Sequence, residues 1–205
     1  MIKVEQDGPT WVMTLSRPDK ANALTREMLV DLTEAVERAT SDPMTRALIL
    51  TGEGKVFSAG ADLEAARAGL ATDPVWERLS GAIAGAPCLT IAALNGTAAG
   101  GALGMVLAAD IRVAVPSASI FYPVMKLGFL PQPSDPVRLT ALVGPARAKL
   151  ILMAGAKVPA EEAQAFGLID ALSNTPLETA RSLATDATNA SADHVAAIKA
   201  MIPAS

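Results

Sequence analysis

A chain of 205 residues with 51% hydrophobic and 19% charged side chains can bury a substantial core and falls outside the disordered class. Its formal net charge of −4, without any Lys/Arg cluster, offers no basic field to a phosphate backbone, which excludes nucleic acid as a partner. Aromatic residues are only 3%, so the core has to be built from Ala, Leu, Val and Ile.

The opening "MIKVEQDGPT" has neither an apolar core nor an Arg-rich amphipathic pattern, which predicts no targeting segment and a cytoplasmic location. "TWVMTL" (Thr10 to Leu15) and "RALILTG" (Arg46 to Gly52) read as strands. Between them Met28, Leu29, Leu32, Ala35, Val36 and Ala39 recur at helical spacing, with Thr25 placed to cap the helix. Two further strands are expected at "CLTIAAL" (Cys88 to Leu94) and "DIRVAV" (Asp110 to Val115), with a helix between them.

Cys88 is the single cysteine, so no internal disulfide can form and a reducing compartment is expected. Inside an apolar run it reads as a small buried hydrophobe rather than a nucleophile. From Leu79 to Ala109 no side chain is charged, yet Pro87, Asn95-Gly96 and Gly100-Gly101 punctuate the run. A membrane span needs about 20 unbroken apolar residues, so a buried strand followed by a buried helix is the better reading, and no membrane partner is expected.

Beyond the strands the chain turns helical. "PARAKLILMAG" opens on Pro145 and closes on Gly155, and "PAEEAQAFGLID" repeats the device with Pro159 and Gly167. From Thr175 onward Ala-rich helical stretches alternate with polar turns. Alternating strands and helices predict an α/β fold. Without an internal sequence repeat or a linker, 1–205 reads as one domain, its core about 1–175 and a helical C-terminal extension about 176–205.

Two segments share one design, a strand leading into a glycine-containing turn that opens a helix: "ALILTGEGKVFSAGADLEAA" and "CLTIAALNGTAAGGALGMVLAA". Such turns expose unpaired backbone N–H groups. Glycine at 100 and 101 is expected to let a ligand approach the backbone without a Cβ in the way. If the N–H groups of Ala61 and Gly101 converge, they form a two-donor oxyanion hole. The bland alternative is two ordinary strand-to-helix turns with close helix packing.

"SRPDKANALTREML", "ILTGEGKVFSAGADL", "NGTAAGGALGMVLAADIRVA", "KLGFLPQP" and "AEEAQAFGLID" resemble, in order and spacing, the enoyl-CoA hydratase/isomerase (crotonase) superfamily across nearly the whole chain. The resemblance implies a spiral of ββα repeats that binds acyl-CoA thioesters and holds the thioester oxygen between two peptide N–H groups, which fall on Ala61 and Gly101. It further implies CoA contacts at Lys20, Ala23, Ala59, Asp62 and Leu63, coenzyme A thioester as substrate rather than a separate cofactor, no metal, and a homotrimer or dimer of trimers.

Departures from the resemblance are expected to matter. The two positions that hold glutamates in hydratases of this superfamily read Gly104 and Val124 here, and neither can transfer a proton. The following loop, "LPQPSDPVRL", carries Pro131, Pro133 and Pro136 and reads as stiffened. Asp135, the nearest acid, reads as a turn residue before Pro136. Tyr122 and Lys126 are expected to place their polar ends at the surface or in a satisfied hydrogen bond, and His194 to lie on a surface helix. The chain ends at Ser205, short of further helices that the resemblance implies, so the acyl pocket is expected to be more open or covered by something else.

The leading expectation is an acyl-CoA-processing lyase or isomerase that stabilises a thioester enolate without the glutamate pair. A malonyl-type decarboxylase and a non-catalytic acyl-CoA carrier are the alternatives. A dinucleotide-binding oxidoreductase is disfavoured, because its fingerprint needs glycine where Ala99 stands and Asp110 precedes its strand.

Overall fold

A computed structural model describes residues 1–202. In chain order the elements are β1 (Ile2–Asp7), β2 (Thr10–Leu15), α1 (Arg26–Ser41), β3 (Ala47–Gly52), β4 (Val56–Ser58), α2 (Leu63–Arg67), α3 (Val75–Ala84), β5 (Leu89–Leu94) and β6 (Thr97–Ala99). They continue with α4 (Leu103–Ala108), β7 (Ile111–Ala114), β8 (Ser119–Phe121), α5 (Val124–Leu127), α6 (Asp135–Leu152), β9 (Val158–Pro159), α7 (Ala160–Phe166), β10 (Ala171–Leu172), α8 (Pro176–Leu183), α9 (Thr185–Asn189) and α10 (Ala192–Met201).

The strands form two sheets, one of six in the order β1-β2-β3-β5-β7-β10 and one of four in the order β4-β6-β8-β9. Only the β1–β2 and β8–β9 pairs are antiparallel. Each of the pairs β3–β4, β5–β6 and β7–β8 places its first strand in the large sheet and its second in the small one, and is followed by helix. That is the expected α/β spiral of ββα repeats, although no repeat is visible as sequence.

Period-two alternation explains how the large sheet is buried on both faces. In β2 and β3, Trp11, Met13, Leu15, Leu48 and Leu50 point into the main core beneath α1, α3 and α4. The residues between them, Val12, Ala47 and Ile49, turn the other way, joining Ile91, Ala93, Val113, Ala180 and Ala184. Helix α8 covers that reverse face, so the segment expected to be an extension closes the second side of the sheet.

Helix α1 starts where the sequence places it: the Thr25 hydroxyl accepts from the Met28 N–H at 3.3 Å, and all six apolar residues named above are buried. The proline-rich segment differs from expectation. Residues Asp135 to Leu152 are helical, broken at Gly144, and Pro136 sits in the first turn. Gly144 separates two helices there, and Pro145 stands in the first turn of the second, as the sequence predicts. Asp135 is therefore not a turn residue but the first residue of a helix, and it is fully buried. Proline fits a first helical turn because the N–H it lacks has no intrahelical partner there. Among the described residues no helix is long and apolar enough to cross a membrane.

Candidate functional site

The two glycine turns meet backbone to backbone. Gly60 has φ +89°, and a Cβ built on it would lie 2.7 Å from the Ala99 carbonyl oxygen and 3.3 Å from both Gly100 Cα and the Gly101 nitrogen. Only glycine satisfies both constraints at position 60.

Hydrogen-bond accounting through the first turn singles out one donor. The Ala59 N–H donates to Ala21 O at 2.9 Å, and the Gly60 N–H to Ser58 Oγ at 3.1 Å. Leu24 donates to Gly60 O and accepts from the Asp62 N–H, both at 2.8 Å. This is the pattern of a parallel bridge between Leu24 and Ala61, which turns the N–H of Ala61 itself away from Leu24. It takes no partner among the described residues. In the second turn Gly101 lies in a 3-10 turn, Gly100–Ala102, that runs into α4, and a first-turn N–H has no intrahelical acceptor.

The loop Lys20–Ala23 lies against this turn through the Ala59–Ala21 bond. Ala21 and Asn22 have positive φ, 50° and 53°. Asn22 is buried and holds the loop by accepting from the Arg17 N–H and donating to Glu53 O and Val56 O. Lys20, Ala59 and Leu63 are exposed, and Ala23 is half-buried. The Asp62 carboxylate is engaged internally: it caps α2 through the N–H groups of Glu64 and Ala65 and pairs with Arg17 at 2.8 Å. Arg17 beside it holds the Asp62 carboxyl below the usual carboxylate range.

The expected openness at Gly101 is not found. A Cβ there would lie 3.1 to 3.2 Å from three ring carbons of Trp76. Trp76 is buried, and its indole N–H donates to Leu70 O at 2.8 Å. Glycine at 101 therefore makes room for an indole in this conformation.

One helical turn further on, a Cβ at Gly104 would lie 3.2 Å from Asp135 Oδ1 and 3.7 Å from Oδ2. Asp135 has no solvent exposure, its Oδ2 accepts from the Tyr122 hydroxyl at 2.8 Å, and its Oδ1 has no partner. Burial pushes its pKa up to about 6, against the opposing effect of the Tyr122 hydrogen bond. Burial likewise raises the Tyr122 phenol. Nearby, Glu77 accepts from the Ser134 N–H and hydroxyl, and Gln132 donates to Ala71 O. Val124 is buried and Lys126 exposed.

Sequence reasoning left Tyr122 with its polar end either at the surface or in a hydrogen bond, and the structure shows the second; it missed the partner and missed Trp76. Ser134-Asp135-Pro136 carried a usable signal, a serine followed by proline in the first turn of a helix. His194 is exposed on α10, as expected. Cys88 is buried, and its thiol is pushed up to about 11 by desolvation, so it is no thiolate at neutral pH.

The family model for enoyl-CoA hydratase/isomerase matches residues 5–205. Among curated proteins, the "Probable enoyl-CoA hydratase EchA14" of Mycobacterium tuberculosis is 39% identical over 99% of this chain and 81% of its own length. Carnitinyl-CoA dehydratase of Salmonella typhi is 36% identical over 97% of the chain and 78% of its own. Among solved structures, enoyl-CoA hydratase from Bacillus anthracis superposes with a TM-score of 0.90 at 30% identity, covering 97% of this chain and 80% of that one. With its spiral fold and near-full-length matches, the chain belongs to the enoyl-CoA hydratase/isomerase family of enzymes.

Proposed function

We propose that the chain processes an acyl-CoA thioester by holding the thioester oxygen between the N–H groups of Ala61 and Gly101 and stabilising the enolate that forms there. The observation that carries this reading is the direct contact of the two turns, in which the Ala61 N–H is the one donor of its turn left without an acceptor. Two fixed donors aimed at one oxygen stabilise charge that develops on it without reorganising. Lys20, Ala23, Ala59 and Leu63 form a rim suited to the CoA portion. Asp62 serves that rim indirectly, by capping α2 and tying Arg17 to it.

The reading is tested with the unaltered protein. Binding of butyryl-CoA is compared with binding of the thioether S-butyl-CoA, which lacks the carbonyl oxygen, by calorimetry. Two neutral hydrogen bonds contribute about 0.5–1.5 kcal/mol each, so the thioester should bind about 5–150-fold more tightly. Equal affinities would remove the two N–H groups from the account.

A further inference from the structure

An unpartnered carboxyl oxygen with no solvent exposure needs an explanation, because burying a polar group without a hydrogen bond is costly. Asp135 is the first residue of α6, yet it does not cap that helix: Ser134 precedes it and makes no capping bond. Its Oδ2 is held by Tyr122, while Oδ1 faces Gly104 across 3.2 Å to the absent Cβ. Gly104 lies three residues beyond Gly101, so both occupy one face of the same helical run. The three atoms nearest to a Cβ on Gly101 are all ring carbons of the Trp76 indole, an apolar surface.

We propose that Asp135 is the catalytic residue that moves a proton on the acyl α-carbon, through Oδ1, and that Tyr122 is the positioning residue that holds it. This rests on the reading of the Ala61 and Gly101 N–H groups as the enolate site. In the forward step the α-carbon C–H bond breaks and an O–H bond forms on Oδ1. The electron pair moves into the thioester carbonyl, whose oxygen becomes the enolate oxygen facing the two N–H groups. The proton then returns from Oδ1 to the same carbon or, in an unsaturated acyl group, to the γ-carbon. No oxidant or second substrate is required. Trp76 leaves Gly101 for the acyl group to enter.

The groups facing Asp135 are consistent with one that changes protonation near neutral pH. Glu77 on α3 disfavours its ionised form, while the Tyr122 hydroxyl and Arg138 on α6 favour it. Helix α4 presents no charged side chain.

The experiment is deuterium wash-in at the α-carbon, read by mass spectrometry in D2O with acetyl-, butyryl-, 3-butenoyl- and phenylacetyl-CoA. Binding of each is measured separately. Wild type should exchange at least one CoA ester that it binds, with a rate that rises with pH through a midpoint near 6. Asp135→Asn should slow that exchange about 10²–10⁴-fold with affinity unchanged. Tyr122→Phe should keep measurable exchange but move the midpoint to higher pH, since the hydroxyl favours the carboxylate; a merely structural role would leave the midpoint in place. The proposal is overturned if Asp135→Asn exchanges at the wild-type rate, or if wild type binds these esters and exchanges none. Failure to bind any of them would instead overturn the acyl-thioester reading itself, and this inference with it.

Discussion

Asp135 has a thermodynamic signature independent of any substrate. Its carboxyl rises from an ordinary value of 3.8 to about 6 because it is desolvated, so the fold favours the protonated form. A raised acid pKa means that its contribution to stability is fullest below about pH 4, declines as pH rises through about 6, and is constant above that. Two pKa units correspond to about 3 kcal/mol. Asp135→Asn, which cannot ionise, should therefore unfold at higher denaturant than wild type at pH 8 by up to about that amount, with the two converging near pH 4. A wild type that is the more stable at pH 8 would mean that the site favours the carboxylate. The residue was legible only as the nearest acid. Asp before Pro is common in turns, and nothing in a local window reveals that Gly104, 31 positions earlier, leaves the space it fills.

Helix α6 shows how one residue shapes an element. At Gly144 the backbone takes φ 77° and ψ 164°, a region reached essentially by glycine alone, and Pro145 then restarts the helix. A Cβ at Gly144 would meet nothing within 4 Å, so Gly144→Ala isolates the conformational cost. It should destabilise the protein by about 1–3 kcal/mol, measured by chemical denaturation, with the fold retained by circular dichroism. An unchanged midpoint would show that the helix can straighten without penalty. Long elements were readable because periodicity accumulates over many residues: α1 and β2 stand where the spacing put them. Strands β4, β6 and β8, with three residues each, carry no period to read. The small sheet that supports both glycine turns was thus invisible before folding.

At the scale of the molecule, α8 seals the reverse face of the large sheet. Ala180 and Ala184 are fully buried there against Val12, Ile49, Ile91 and Val113, because alanine lets a helix approach a sheet closely. Ala180→Leu should overpack this layer and cost about 1–3 kcal/mol, seen as a lower Tm. Because α8 lies on the face away from α3 and α4, acyl-CoA affinity should be unaffected below the transition. A variant as stable as wild type would mean that α8 is not firmly docked. Lys199 ties α10 to the residues that lead into β5 and β7, pairing with Asp110 at 2.7 Å and donating to Cys88 O.

The sequence by itself determined the α/β alternation, the longer strands and the amphipathic helix with its cap. It also determined the presence of two glycine-containing turns of one design and, through its motifs, the family. These are local properties, set by side-chain periodicity and backbone sterics within a few residues. Tertiary structure alone decided that the Ala61 and Gly101 turns touch, that Trp76 covers Gly101, and that a buried Asp135 faces Gly104 with Tyr122 behind it. Each of these joins segments that are distant in sequence. Proximity of that kind, and the desolvation that raises a carboxyl, arise only when the spiral closes and excludes water from the space between its helices.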